Sequence, residues 1–295
     1  MKTEKNILTA FILNFGFSVF EFIGGFVTGS VAVISDAVHD AGDAASIGIS
    51  YFLEKKSKKQ PDDAYTYGYA RYSVIGSLVT TLILLFGSAA VICNAVKRFI
   101  HPAQIDYNGM IVFAIVGVCV NFFAAFFTRE GKSLNQKAVN LHMLEDVLGW
   151  AVVLIGAIVM KFTGFALIDP IMSLGVAAFI LINSIRNLKE VLFLLLEKTP
   201  ENINVNEIKE HIMNIDGVTD VHHIHIWSLD GLNNYATMHI VTNADACKVK
   251  EKIREELSEH GICHATLELE TEKEHCSEKQ CVVKSKAPQH RHHHH

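Results

Sequence analysis

The part of the chain before residue 196 contains six apolar segments, each long enough to cross a lipid bilayer. About 20 apolar residues are needed to span a hydrocarbon core of ~30 Å. The segments cover residues 7–28, 31–53, 72–100, 108–127, 138–162 and 166–188. Six such runs are too many for the buried core helices of a soluble protein. The sequence therefore predicts an α-helical membrane protein with six transmembrane helices.

The C-terminal part has a different composition. A charged, leucine-rich linker over 189–200 leads into residues 201–272, which resemble a soluble domain. Helical spacing over 204–214 and 245–260, and alternation over 218–228, 235–242 and 265–270, give the order αββαβ. This order predicts a small cytoplasmic α+β domain of ferredoxin-like type. Residues 273–295 are predicted to be a disordered tail, and His292 to His295 have the composition of an expression tag or a metal-binding tail.

The distribution of Lys and Arg predicts the orientation of the chain in the membrane. These residues concentrate before the first segment, between the second and third, between the fourth and fifth, and after the sixth. Cytoplasmic loops carry such an excess, so both termini are predicted to be cytoplasmic in a multi-pass protein of the lipid bilayer. The near balance of 26 basic and 31 acidic residues gives no indication of nucleic-acid binding. The scattered cysteines do not form the pattern of a secreted disulfide framework.

Two apolar segments contain the same polar pattern, a histidine followed four residues later by an aspartate. His39 and Asp43 lie in the second segment, and His142 and Asp146 lie in the fifth. Residues i and i+4 share one face of a helix. An ionisable residue inside a membrane costs roughly 2.5–3.5 kcal/mol and by default marks an ion or proton pathway. Two imidazoles and two carboxylates are a suitable ligand set for tetrahedral Zn²⁺, and we predict that these four residues bind a divalent metal ion.

The charges of these four residues also predict proton coupling. A divalent ion neutralises two carboxylates, whereas an empty site favours protonation of an Asp or a His. Metal binding then releases protons, since ligands coordinate in their deprotonated form. The competing interpretation is that the four residues only satisfy one another in a helical bundle. For Asn14, Glu21 and Asn121, which are also polar residues in apolar segments, hydrogen bonding between helices is favoured over a role in transport.

The chain resembles the cation diffusion facilitator family. The resemblance rests on the six segments, the Gly29-Ser30-Val31-Ala32 opening before His39, the second pair at His142, the Asp169-Pro170 entry to the sixth segment, and the appended α+β domain. It covers about residues 5 to 272. It implies a homodimeric zinc/proton antiporter that moves metal out of the cytosol by alternating access. It also implies that the histidine at position 39 favours transport of Zn²⁺ or Cd²⁺. Co²⁺ is a further possible substrate.

Two loops depart from the pattern of some family members. Tyr65 and Tyr69 stand where members with a further metal site after the second segment have histidines, so that site is predicted to be absent. Residues 129–137 contain no histidine, whereas organellar relatives often have a His-rich loop there. The chain therefore resembles the short bacterial type of the plasma (inner) membrane.

The C-terminal domain contains a second group of histidines. The resemblance implies that His222 and His239 help to bind cytosolic zinc, which would then act as a regulator as well as the substrate. Glu268 and Glu270 fall where other family ligands lie. Strand alternation predicts that His222 shares a face with Ile224 and Ile226, and that His223 and His225 lie on the opposite face. Histidines at the surface or facing a partner are the alternative.

Two other classes of function compete with transport. A membrane metalloenzyme would need an open coordination position and a general base, and the sequence has no His-Glu-x-x-His motif. We therefore predict that the protein is not an enzyme. A non-transporting membrane zinc sensor or scaffold would use only the C-terminal histidines, and would leave His39 and His142 without a role.

Overall fold

The computed structural model of the protein describes residues 2–28, 31–100, 107–130, 132–163 and 168–274. The chain divides into two compact units, with the main boundary between Leu196 and Glu197. The first unit is helical. The second combines two helices with a three-stranded sheet. The predicted fold class, a helical membrane-type domain followed by a small α+β domain, is confirmed.

The first unit consists of long helices that coincide with the six apolar segments. They are α1 (Lys2–Thr28), α2 (Val31–Ser57), α3 (Arg71–Ile100), α4 (Tyr107–Thr128), α5 (Leu134–Thr163) and α6 (Ile168–Leu195). Most of these helices extend beyond the apolar runs, because backbone hydrogen bonding continues through polar turns that hydropathy does not mark. The predicted linker over 189–200 is corrected accordingly, since α6 continues through its first residues to Leu195.

Four stretches of the described residues are long and apolar enough to cross a membrane, judged by length and composition. They are Thr3–Gly24, Arg71–Lys97, Ile111–Thr128 and Leu134–Thr163. Helices α2 and α6 are of similar length, with 27 and 28 residues. Within the described part of the chain they are not among the four. The sequence of α2 gives a reason, because it contains Asp36, Asp40 and Asp43.

Large apolar side chains face outwards in the first unit, and polar side chains lie inside it. Phe86 and Phe162 are 74% and 84% exposed. Ser50, Thr80 and Glu54 are buried, and the hydroxyl groups of Ser50 and Thr80 are 2.6 Å apart. Exposed apolar surface of this kind marks a surface that meets lipid or another protein. Buried polar groups between helices are typical of membrane proteins in which the interior holds a functional site.

Glu54 connects three helices of the first unit. It lies near the end of α2, and its carboxylate accepts hydrogen bonds from Ser73 on α3 at 2.7 Å and from Asn135 on α5 at 3.4 Å. Lys58, just after the end of α2, has its Nζ atom 3.7 Å from Glu54. The amide of Asn135 also donates to the carbonyl of Ser50 at 2.8 Å. These contacts hold α5 against α2, the two helices that carry the predicted metal ligands.

The second unit contains the predicted αββαβ order. Its elements are α7 (Val205–Met213), β1 (Val218–Ser228), β2 (Asn234–Thr242), α8 (Ala246–Glu259) and β3 (Ile262–Glu270). Strand β2 is central, antiparallel to β1 and parallel to β3. Both helices bury their apolar faces in one core with the sheet, through residues such as Ile208, Ile212, Ile253 and Leu257. Most of the predicted tail, from residue 275 with His292 to His295, lies outside the described residues.

Candidate metal sites

Three of the four ligands predicted in the membrane segments come together in the first unit. The candidate ligand atoms of Asp43, His142 and Asp146 all lie within 4.8 Å of one another. Asp43 is on α2, whereas His142 and Asp146 are one turn apart on α5. The Nε2 atom of His142 lies 3.6 Å from Oδ1 of Asp43. This is too long for a hydrogen bond but suitable for two ligands that share one metal ion.

The cluster is buried, so a polar group in it that lacks a partner carries a cost in free energy. His142 is 3% exposed and Asp43 is 7% exposed. Both ring nitrogens of His142 are buried, and neither has a hydrogen-bond partner among the described residues. A buried polar group without a partner costs about 1–3 kcal/mol. A metal ion coordinated by one of these nitrogens would remove part of that cost, so the donor set fits a divalent cation.

Asn14 is next to this cluster and was not among the predicted site residues. It lies on α1 and is 2% exposed. Its amide group donates a hydrogen bond to Oδ2 of Asp146 at 3.3 Å, so the predicted hydrogen bonding between helices is present. Its Oδ1 atom is buried and has no hydrogen-bond partner among the described residues. A single amide in an apolar stretch was the only sequence signal, and it did not identify Asp146 as the partner.

The remaining predicted ligand, His39, lies on α2 one turn before Asp43. Its side chain is outside the described residues. The backbone places it on the same face of α2 as Asp43, because residues four apart in a helix lie one above the other. Its participation in the site stays a prediction.

The second cluster lies on the sheet of the C-terminal unit and includes both predicted histidines. Ligand atoms of His222, His239 and Glu270 all lie within 4.8 Å of one another. His222 on β1 is directly opposite His239 on β2. Glu270, near the end of β3, has one carboxylate oxygen 2.5 Å from Nδ1 of His239 and the other 3.3 Å from Nε2 of His222. Glu268 lies 3.2 Å from Nε2 of His239, so two glutamates accompany the pair.

The predicted alternation around His222 is wrong. Strand β1 has an irregularity between His222 and His225, and the φ angle of His223 is +49°. As a result Val221 and Ile226, five residues apart, both lie in the core. The rings of His222 and His223 lie 5.4 and 4.8 Å from the ring of His239. A β-bulge adds one residue to the strand and shifts every side chain before it to the other face.

In the loop where no further metal site was predicted, Asp62 is bound by neighbouring side chains. Asp62 accepts hydrogen bonds of 2.7 Å from Nζ of Lys59 and from the hydroxyl of Tyr69. These hydrogen bonds lower the pKa of the Asp62 carboxyl below its usual value, the bond from Lys59 having the larger effect. The rings of Tyr65 and Tyr69 lie 4.4 Å apart. The tyrosines thus pack together and bind Asp62.

Comparison with known proteins matches both units to family models. Residues 7–196 match the cation efflux transmembrane domain, and residues 200–272 match the cytoplasmic domain of cation efflux proteins. The zinc transporter ZitB of Yersinia pseudotuberculosis is 35% identical, over 99% of this chain and 96% of the relative. The cadmium, cobalt and zinc/H(+)-K(+) antiporter of Bacillus velezensis is 32% identical with the same coverage. The metal cation efflux system protein CzcD of Cupriavidus metallidurans is 30% identical, over 90% of this chain and 86% of the relative.

Proposed function

This chain belongs to the cation efflux family, the cation diffusion facilitators, and we propose that it exports Zn²⁺ from the cytosol in exchange for protons. One observation carries the proposal, the convergence of Asp43, His142 and Asp146 from two helices inside the first unit. Imidazole and carboxylate ligands in a fourfold site suit Zn²⁺, whereas Mg²⁺ and Ca²⁺ prefer six or more oxygens. Cd²⁺ and Co²⁺ are further candidate substrates, since one relative is named for both metals and for zinc.

The exchange follows from the charges of the cluster. Asp43 and Asp146 together carry two negative charges when both are ionised, and a bound divalent ion reduces this local charge to zero. When the ion leaves, protons that bind to a carboxylate or to His142 reduce the negative charge of the cluster, because a buried environment disfavours net charge. Metal and protons therefore compete for the same atoms. We propose that this competition, repeated on the two sides of the membrane, is the coupling step.

The amide of Asn14 has a positioning role in this proposal. Its hydrogen bond to Oδ2 of Asp146 holds that carboxylate and leaves Oδ1 available for the metal. Partners of this kind fix the orientation of a ligand and raise metal affinity. His39 would complete the tetrahedron as the fourth ligand.

We further propose a homodimer in the plasma (inner) membrane with both termini in the cytoplasm, working by alternating access. The distribution of basic residues supports this orientation. In the C-terminal unit, His222, His239 and Glu270 would bind cytosolic zinc as a regulator. Such binding acts only through a difference in affinity between two arrangements of the protein. The same cluster supports the second candidate function, a non-transporting zinc sensor or scaffold. That candidate leaves the cluster around His142 unused.

Everted membrane vesicles distinguish these functions. In such vesicles the former cytoplasmic face is outside, so the proposed exporter accumulates zinc in the lumen when the lumen is acidic. We expect protein-dependent zinc uptake that stops when an ionophore collapses the pH gradient. Vesicles with the Asp43→Asn variant should show neither uptake nor gradient dependence. Zinc uptake equal to that of vesicles without the protein would refute transport and favour the sensor.

A further inference from the structure

A third group of potential metal ligands lies on the C-terminal unit and shares no residue with the two sites described above. His211 is in the last turn of α7, and Glu256 and His260 lie four residues apart at the end of α8. Residues four apart on a helix share one face, so Glu256 and His260 point the same way. Ile208 and Ile212 on α7, and Ile253 and Leu257 on α8, are buried in the same core. The core therefore fixes the two helices, and with them the three side chains.

The three ligand atoms form a compact triangle. Nδ1 of His211 is 2.6 Å from Oε1 of Glu256, Nε2 of His260 is 3.2 Å from the same oxygen, and the two ring nitrogens are 3.0 Å apart. Ligand atoms 2.0–2.1 Å from a tetrahedral Zn²⁺ lie about 3.3 Å from one another. The triangle is thus close to one face of a zinc tetrahedron, and a small outward movement of the side chains would match it.

Hydrogen bonding alone cannot satisfy all three contacts. A neutral imidazole has one protonated and one unprotonated nitrogen, and an ionised carboxylate only accepts. If both facing nitrogens are protonated, two N–H groups oppose each other at 3.0 Å. If either is unprotonated, its lone pair faces the Glu256 oxygen, at 2.6 Å for His211 or 3.2 Å for His260. A single cation bound to all three atoms would attract each of them and so offset the repulsion between them.

Electrostatics and accessibility also favour a cation at this position. Both helices end here, and the carbonyl groups at a helix C-terminus favour positive charge. The side chains of His211, Glu256 and His260 are 45%, 25% and 20% exposed. An ion can therefore reach them from solution, and water can complete its coordination.

We propose that His211, Glu256 and His260 form a further binding site for Zn²⁺ or a similar borderline divalent ion, which joins α7 to α8. Two imidazoles and one carboxylate with an open fourth position are a known type of zinc ligand set. The site shares no atoms with the cluster of Asp43, His142 and Asp146 or with the cluster around His239. Its existence is independent of whether the chain transports metal.

The number of zinc ions bound by the full-length protein tests this site. The purified chain is equilibrated with buffered micromolar zinc, and the metal content per chain is measured. We expect the His211→Ala/His260→Ala variant to bind one zinc ion fewer per chain than the parent protein. The matched control is His225→Ala/His264→Ala, which removes two other histidines of the same unit and should bind as many ions as the parent. The C-terminal histidines are present in all variants, so any zinc that they bind cancels in the comparison.

A second variant separates metal binding from a purely structural role. Glu256→Gln keeps the size of the side chain and an acceptor oxygen but removes the charged ligand. We therefore expect this variant also to bind one zinc ion fewer per chain. We also expect zinc to raise the Tm of the variant less than it raises the Tm of the parent protein. Unchanged zinc content in both His211→Ala/His260→Ala and Glu256→Gln would overturn the proposal, and so would an equal loss in the His225→Ala/His264→Ala control.

Discussion

At the scale of single residues, the chemistry of the ligands in the proposed transport site would determine which ion is preferred. The described cluster supplies one imidazole and two carboxylates, from His142, Asp43 and Asp146. With a second imidazole from His39, two of the four ligand atoms would be nitrogen. Nitrogen ligands favour zinc over harder ions such as Mn²⁺, which prefer carboxylate, carbonyl and water oxygens.

Replacement of His39 by Asp should shift selectivity towards harder ions. The His39→Asp variant exchanges a nitrogen for an oxygen and adds a negative charge, so we expect the ratio of zinc to manganese transport to fall. Uptake of both metals into the same vesicle preparation measures that ratio. A zinc-to-manganese ratio equal to that of the parent would show that His39 is not a ligand, or that geometry alone sets the preference.

Asn14 should contribute to metal affinity without coordinating the ion itself. In the Asn14→Leu variant the hydrogen bond to Asp146 is lost, and outer partners of metal ligands typically contribute about 10–100-fold in affinity. We expect at least about a tenfold rise in the zinc concentration needed for half-maximal transport. Asn121→Leu is the matched control, because Asn121 is equally buried, at 1% exposure, on α4. Equal effects of the two substitutions would assign Asn14 to general packing.

At the scale of elements, the site depends on how α2 is held against α5. The contacts of Glu54 with Ser73 and Asn135 link these helices with α3. Glu54→Gln weakens charge-assisted hydrogen bonds inside the unit, and we expect a loss of about 1–3 kcal/mol of stability. Thermal unfolding in one detergent measures the change. Glu4→Gln is the control, since Glu4 also lies within 4 Å of Lys58, at 3.8 Å, but is more exposed. A Tm equal to that of Glu4→Gln would contradict this role.

The sequence predicts the helices and strands of this fold well, but it does not predict the contacts between them. The apolar runs identify all six long helices, and alternation identifies the strands, because both patterns follow from the period of the backbone. The bulge at His223 depends on the hydrogen-bond register between β1 and β2, which composition does not encode. The contact of Asn14 with Asp146 joins residues 132 positions apart. Such contacts follow from helix packing, so the sequence identified candidate ligands but not their neighbours.

At the scale of the whole molecule, the two units have separate roles in the proposed mechanism. The first carries the transported ion, and the second senses it. We expect His222→Ala/His239→Ala to alter the activation of transport by rising zinc more than it alters the maximal rate, because it leaves Asp43, His142 and Asp146 intact. Transport rate against buffered free zinc measures both quantities, with His225→Ala as the control on the same strand. An activation curve identical to that of the parent would show that His222 and His239 do not regulate transport.

Simultaneous measurement of zinc and proton flux in proteoliposomes tests the proposed exchange of zinc for protons at this cluster. The two variants to compare are Asp146→Asn, at the cluster, and Glu145→Gln, which makes the same acid-to-amide change at the preceding residue, not one of the three clustered ligands. We expect zinc and protons to move in opposite directions with the parent and with Glu145→Gln, and Asp146→Asn to abolish both fluxes. Coupled exchange at the parental rate in Asp146→Asn would show that this cluster does not carry the exchange.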